Sequence, residues 1–164
     1  MNLPSGGVVL DAGCGSGRAL PYLREAVGRE GLVLALDLTW EMLVEARRRG
    51  RDSVAQLVQA DLAALPLRRA SLDAVFAAGL LPHLADPGVA LLELARVARP
   101  SCTLALFHPV SSAELARRHG SAARIEALLS PDGLSGRLGE AGWLLARVQD
   151  AEDGYLAIAS RRPP

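Results

Sequence analysis

The chain has 164 residues, with 18 basic and 18 acidic side chains and a formal net charge of zero. That balance gives no general pull towards nucleic acid or an anionic membrane, and a hydrophobic content of 50% argues against disorder. A chain of this length can bury about 70% of its unfolded surface, so one domain over residues 1–164 is expected. Every basic residue other than histidine is arginine, which excludes a lysine nucleophile or Schiff base. The two cysteines, Cys14 and Cys102, suggest neither a disulfide framework nor a zinc site, and no metal is expected. No basic n-region precedes the first apolar run, and no apolar stretch reaches about 18 residues. A soluble cytoplasmic protein is the expectation.

After a polar lead-in over residues 1–7, Val8 to Asp11 reads as a strand. A loop follows with glycine at 13, 15 and 17, and Arg18 to Gly28 reads as a helix with Leu20, Leu23 and Val27 on one side. Strand, glycine loop and helix make a nucleotide-binding turn, because glycine lets a ligand approach the backbone closely. The dinucleotide fingerprint is G-x-G-x-x-G. Here the third glycine comes one residue early and Arg18 takes its slot. Leu32 to Asp37 is an apolar run ending in an acid, as in a strand buried on both faces. At that end, Asp37 is suited to accept from both hydroxyls of a ribose. Thr39 is expected to cap a helix over Glu41 to Gly50, with Met42, Leu43 and Ala46 packed and Glu45 paired with Arg49. The cluster Arg47, Arg48, Arg49 and Arg51 reads as a solvated helix terminus.

Ser53 to Gln59 reads as a third strand and Ser71 to Ala77 as a fourth. Gly79 to Leu84 is a loop containing His83. Gly88 to Ala98 reads as an amphipathic helix, with Val89, Leu92, Ala95 and Val97 expected to face a sheet, and Thr103 to Phe107 as the fifth strand, followed by His108-Pro109. Ser111 to Leu129 is expected to form one or two helices on Leu115, Ile125, Leu128 and Leu129, within a substrate-side insertion at about 109–130. Pro131 to Gly142 reads as a further helix. Trp143 to Gln149 and Tyr155 to Arg161 read as a hairpin joined at residues 150–154.

The stretch Asp11-Ala12-Gly13-Cys14-Gly15-Ser16-Gly17-Arg18 resembles motif I of the class I S-adenosylmethionine (SAM) dependent methyltransferases. Asp61 with Leu65-Pro66-Leu67 resembles that family's adenine segment, and Asp73 its fDxV motif, where the acid is structural. The resemblance implies an α/β fold: a doubly wound, mostly parallel seven-stranded sheet closed by a C-terminal antiparallel hairpin. It implies SAM as cofactor, S-adenosylhomocysteine (SAH) as product and a small-molecule acceptor, most similarly to the ubiquinone and menaquinone biosynthesis methyltransferases. The cofactor set it implies is Asp11, Gly13, Cys14, Gly15, Gly17 and Arg18 at the loop, with Asp37 and Leu38 at the ribose. Asp61 and Leu62 fall at the adenine, and a backbone carbonyl near Ala78 or Gly79 at the ammonium. Where the family has K-P-G-G this chain has Arg99-Pro100-Ser101-Cys102, which alters a turn more than the chemistry. The helices that the family carries before its first strand are expected to be missing or nearly so. A homodimer partner would supply that cover.

An oxygen acceptor needs a base near neutral pH, and histidine is the natural candidate. His108 and His83 both fall at the C-terminal edge of the sheet, and His119 lies in the insertion. Each has a structural alternative as a loop histidine bonded to backbone. Tyr22 either packs or reaches the carboxylate end of the cofactor, and Arg18 either pairs with the methionine carboxylate or is solvated. Two rival readings remain, a SAM-binding protein without turnover and a nicotinamide-dependent oxidoreductase. The early third glycine and the closing hairpin weigh against the second.

Overall fold

The computed structural model describes residues 3–119 and 122–163. Seven strands form one sheet: β1 (Val8–Ala12), β2 (Leu32–Asp37), β3 (Gln56–Gln59), β4 (Leu72–Ala78), β5 (Ala98–His108), β6 (Trp143–Ala151) and β7 (Gly154–Arg161). Their order is β3-β2-β1-β4-β5-β7-β6. The first five are parallel, whereas β7 runs antiparallel to both β5 and β6. The expected doubly wound sheet with its closing hairpin is therefore present. The order reverses at β1, which pairs with β2 on one side and β4 on the other. In open α/β sheets ligands bind at such a switch point, beyond the carboxyl ends of the strands.

Helices α1 (Leu20–Val27) and α2 (Trp40–Arg48) connect the first three strands. Their buried residues Leu20, Leu23, Val27 and Leu43 pack with Val9, Val33, Ala35 and Ala74 on one sheet face. The opposite face carries the larger core, where Leu10, Leu36, Val75 and Leu104 meet α3 (Pro87–Val97), α5 (Ala122–Leu129) and α6 (Pro131–Glu140). Helix α4 (Ser112–His119) precedes α5, so the 111–129 segment forms two helices, with Leu115, Ile125, Leu128 and Leu129 all buried as expected. Ser112 bonds the Asp150 carboxylate and anchors this pair to the terminal hairpin. No helix among the described residues is long and apolar enough to cross a membrane.

Several boundaries and faces differ from the sequence reading. Helix α1 starts at Leu20 rather than Arg18, with Pro21 in its first turn. A one-turn 3₁₀ helix occupies Arg51–Ser53, where Gly50 is left-handed and Ser53 Oγ donates to its carbonyl at 2.7 Å. The third strand is thereby shortened to Gln56–Gln59. Thr39 holds the cap position of α2 without a side-chain bond, and Met42 is exposed. In α3 the buried residues are Pro87, Ala90, Leu91, Leu94, Ala95 and Val97. Val89 and Leu92 are 42% and 55% exposed, so those two positions of the expected core face are corrected. Asp86 starts this helix by accepting from Gly88 and Val89 N–H at 2.8 and 3.2 Å. Strand β5 begins five residues earlier than expected, because Ala98 pairs with Leu72 ahead of a register shift. Ser101, standing where the family has a glycine, takes φ +66°. Asp73 has the structural role expected of it, accepting from Val8 N–H at 2.8 Å and pairing with Arg99.

The terminal hairpin is held by two buried aromatics. Trp143 Nε1 donates to the Leu91 carbonyl at 3.0 Å, and Tyr155 Oη to the Leu129 carbonyl at 2.9 Å. Tyr155→Phe removes the second bond and strands a buried acceptor. It is expected to cost about 1–3 kcal/mol and lower Tm by several degrees in a thermal melt. An unchanged Tm would mean that this bond contributes nothing.

Candidate active site

Strand β1 delivers Asp11 to the sheet edge, and the chain then turns through the glycine loop. Gly13 and Cys14 N–H both donate to the Leu36 carbonyl at 2.8 and 2.9 Å, and Gly17 N–H donates to Cys14 at 2.9 Å. Gly15 has φ +53°, and a Cβ there would meet nothing within 4 Å, so its outer side is open to a ligand. Gly17 has φ +76°, and a Cβ there would lie 2.9 Å from Arg51 Cγ. Glycine is required there by the left-handed backbone and by the Leu20 and Arg51 side chains packed against it.

Asp37 is built into this loop. Its Oδ2 accepts from Gly15 N–H at 2.8 Å and its Oδ1 from Thr39 N–H at 2.9 Å. Each oxygen keeps a lone pair for a further donor. Asp61 accepts from Ala63 N–H at 2.8 Å in a turn of its own. A cleft of about 300 Å³ is lined by Asp37, Leu38, Asp61, Leu62, Leu84 and the exposed His83, with Gly13, Ala78 and Gly79 at its inner end. A wider cavity of about 810 Å³ continues from those same three residues past Asp11, Cys14, Gly15 and Arg18. Together they form one trench along the carboxyl ends of β2, β1, β4 and β5. The trench brings together every expected cofactor residue except Gly17, which lies beneath Arg51.

Four donors of the loop bear on the ligand. A dinucleotide needs loop N–H groups aimed at its pyrophosphate. Here the N–H groups of Gly13, Cys14, Gly15 and Gly17 are all bonded within the protein. A methionine end, which asks nothing of those donors, fits the loop, and a ribose diol fits Asp37. The methyltransferase domain family model matches residues 10–106. The chain belongs to this family. It is 40% identical over 111 residues to a malonyl-[acyl-carrier protein] O-methyltransferase of Pseudescherichia vulneris, covering 68% of this chain and 42% of that protein. It is 28% identical over 184 residues to a 2-phytyl-1,4-naphthoquinone methyltransferase of Thermosynechococcus vestitus, covering 96% and 81%. The crystal structure of a SAM-dependent methyltransferase from Aquifex aeolicus superposes with a TM-score of 0.80 at 28% identity, over 96% of this chain and 83% of the other. The chain spans 29%, 42% and 37% of the length of three curated relatives that are 40–42% identical to it.

In this methyltransferase domain two titratable groups by the loop are displaced from their ordinary ranges. Burial, then the charge of Asp37, raises Asp11 to about 7, and its side chain is 2% exposed. Burial, then Asp11 and Asp37, pushes the Cys14 thiol up to about 12, so it remains protonated. The histidines divide. His83 lines the trench. His108 is 6% exposed and lines a small cavity with Leu129 and Tyr155 on the far side of β5. Its Cε1 lies 3.8 Å from where a Gly79 Cβ would stand, so it backs the trench wall. His119 is the last residue of α4. Tyr22 is 73% exposed and lines the wide cavity, which overturns the packing alternative.

Three features escaped the sequence reading. Phe76 and Phe107 lie on adjacent strands with ring centroids 6.3 Å apart and 25° between planes, and both line the wide cavity. Arg51, read as solvated, lines it too. On α3, Glu93 accepts from Leu65 N–H at 2.8 Å while Arg96 donates to the Leu65 and Leu67 carbonyls at 3.1 and 3.0 Å. This ion pair clamps the segment that follows Asp61 and so holds the cleft wall.

Proposed function

We propose that the chain is a SAM-dependent methyltransferase that moves a methyl group from SAM to a small-molecule acceptor. The observation that carries the reading is the trench at the switch point, with two acids at one end and a loop whose Gly13, Cys14, Gly15 and Gly17 N–H groups are bonded within the protein. Asp37 holds the ribose, Asp61 and the Leu62 N–H hold the adenine, and Leu38 covers it. Arg18 answers the methionine carboxylate, and the carbonyls near Ala78 and Gly79 take the ammonium. Asp11 stands beneath that end, and Gly13, Cys14, Gly15 and Gly17 shape the loop around it.

When bound, SAM supplies an electrophilic methyl on a sulfonium with a good leaving group. The protein then has to hold the acceptor in line and keep water out. Phe76 and Phe107 provide an apolar floor for that. His83 is the trench-lining candidate for moving a proton when the acceptor needs one, and His108 supports the wall through Gly79. The zero net charge favours a small molecule over nucleic acid. One cytoplasmic domain over residues 1–164 is part of the same reading.

The test is thermal unfolding with SAM, SAH or NAD, followed by SAH release with candidate acceptors. SAH at about 100 times its Kd adds roughly 2.7 kcal/mol, a shift of several degrees, and NAD is expected to add none. A shift with NAD alone would overturn the cofactor. A shift with SAH but no turnover on a broad acceptor panel would favour a SAM-binding protein without catalysis.

A further inference from the structure

The wide cavity carries more positive charge than the cofactor can answer. Arg18, Arg49 and Arg51 line it, against one acid among the described lining residues, the buried Asp11. SAM brings a sulfonium, an ammonium and a single carboxylate, so its arrival adds a further net positive charge. With Arg18 set against the methionine carboxylate, Arg51 still has no counter-charge.

The neighbours of Arg51 differ from it. Arg47 pairs with Asp52 at 3.4 Å and is largely solvated, Arg49 pairs with Glu45 at 2.8 Å, and Arg24 bonds the backbone at Val54, Gly28 and Gly31. No carboxylate pairs with Arg51 among the described residues, and its Nε is shut off from solvent without a hydrogen-bond partner. Its stem packs on Gly17, and the side chain lines the trench. A guanidinium offers a planar fork that suits carboxylate and phosphate oxygens. Across the same cavity lies the Phe76–Phe107 floor, which suits an apolar or aromatic body.

We propose that Arg51 recognises an anionic group on the methyl acceptor, whose apolar body lies on Phe76 and Phe107. The acceptor class is then an aryl or acyl compound that carries a carboxylate or a phosphate. The inference rests on the methyltransferase reading for the word acceptor, but the anion site itself is testable without turnover.

The experiment titrates phenylacetate, phenyl phosphate and the neutral phenylacetamide into the full chain, with and without SAH, by calorimetry. Both anions are expected to bind about tenfold or more tightly than the amide. Whichever anion binds better identifies the charged group. Arg51→Met keeps the stem on Gly17 and is expected to erase that preference while leaving SAH affinity unchanged. Arg51→Lys is expected to restore part of it, and Arg47→Gln to change nothing. Equal binding of amide and anions overturns the proposal, as does the absence of anion binding at millimolar concentration in both states. A tenfold loss of SAH affinity in Arg51→Met with the anion preference intact also overturns it, and assigns Arg51 to the cofactor. Failure of SAH to bind the unaltered chain sinks the methyltransferase reading separately, and the titrations without SAH still decide the role of Arg51.

Discussion

Asp37→Ala is expected to weaken SAH binding about a hundredfold. The carboxylate offers one further lone pair per oxygen after accepting from Gly15 and Thr39 N–H. Two ribose hydroxyls bonded to a charged acceptor are together worth about 3 kcal/mol, which is roughly two decades in Kd. The change also removes the acceptor that holds the Gly15 N–H, so part of the loss comes from a loosened loop. Asp37→Asn separates the two effects. Its amide oxygen can keep one backbone bond, and its affinity is expected to fall between the parent and the alanine variant. Calorimetric titration of SAH into each chain reads this directly. A Kd for Asp37→Ala within threefold of the parent would remove Asp37 from the cofactor site and with it the polarity of the whole trench.

The site was legible where its signal is local. Three alternating glycines after a strand, and the acid that ends the apolar run at 32–37, are adjacent in sequence, so Gly15 and Asp37 can be read from the pattern, whereas Asp11 and Asp61 are offered by the family resemblance. The face of α3 could not be, because Val89, Ala90, Leu91, Leu92 and Leu94 make an almost continuous apolar run with two comparable faces. Its polar residues mislead further: Glu93 and Arg96 look like a solvent face yet grip the backbone at Leu65 and Leu67. The start of β5 was hidden for a related reason. Arg99-Pro100-Ser101 reads as a turn, but Arg99 is drawn to Asp73 and Ala98 pairs with Leu72. Phe107 lines both the wide cavity and the small one, whereas His108 lines only the small one of the two, in keeping with alternation along β5. Arg51 and Phe76 enter the trench only through tertiary placement, to which neither periodicity nor spacing is sensitive.

Asp11 is expected to make folding stability fall as pH rises, the reverse of an ordinary paired acid. In the unfolded chain its carboxyl ionises near 3.8, but in the fold burial and then Asp37 hold it to about 7. Between these values the folded state keeps a proton that the unfolded chain has lost, so stability declines across that window and the full cost is present above about pH 7. The gap corresponds to roughly 4 kcal/mol. Asp73, Glu93 and Glu114 work in the opposite sense. For Asp73 burial is outweighed by Arg99 and the Val8 N–H, and Glu93 and Glu114 are held down by Arg96 and Arg118. Their contributions are complete above about pH 5, so they do not mask Asp11 between pH 5 and 8. Asp11→Asn is therefore expected to melt modestly above the parent at pH 5 and several degrees further above it at pH 8. The cofactor reverses the preference, because an ammonium placed beside Asp11 favours the ionised acid. SAH binding is then expected to release a proton below pH 7 and to tighten as pH rises from 6 to 8, with both effects absent in Asp11→Asn. Calorimetry in two buffers of different ionisation enthalpy counts that proton. Parent and Asp11→Asn melting curves that stay parallel from pH 5 to 8 would mean that Asp11 is ionised throughout, and that water or a backbone shift relieves its burial.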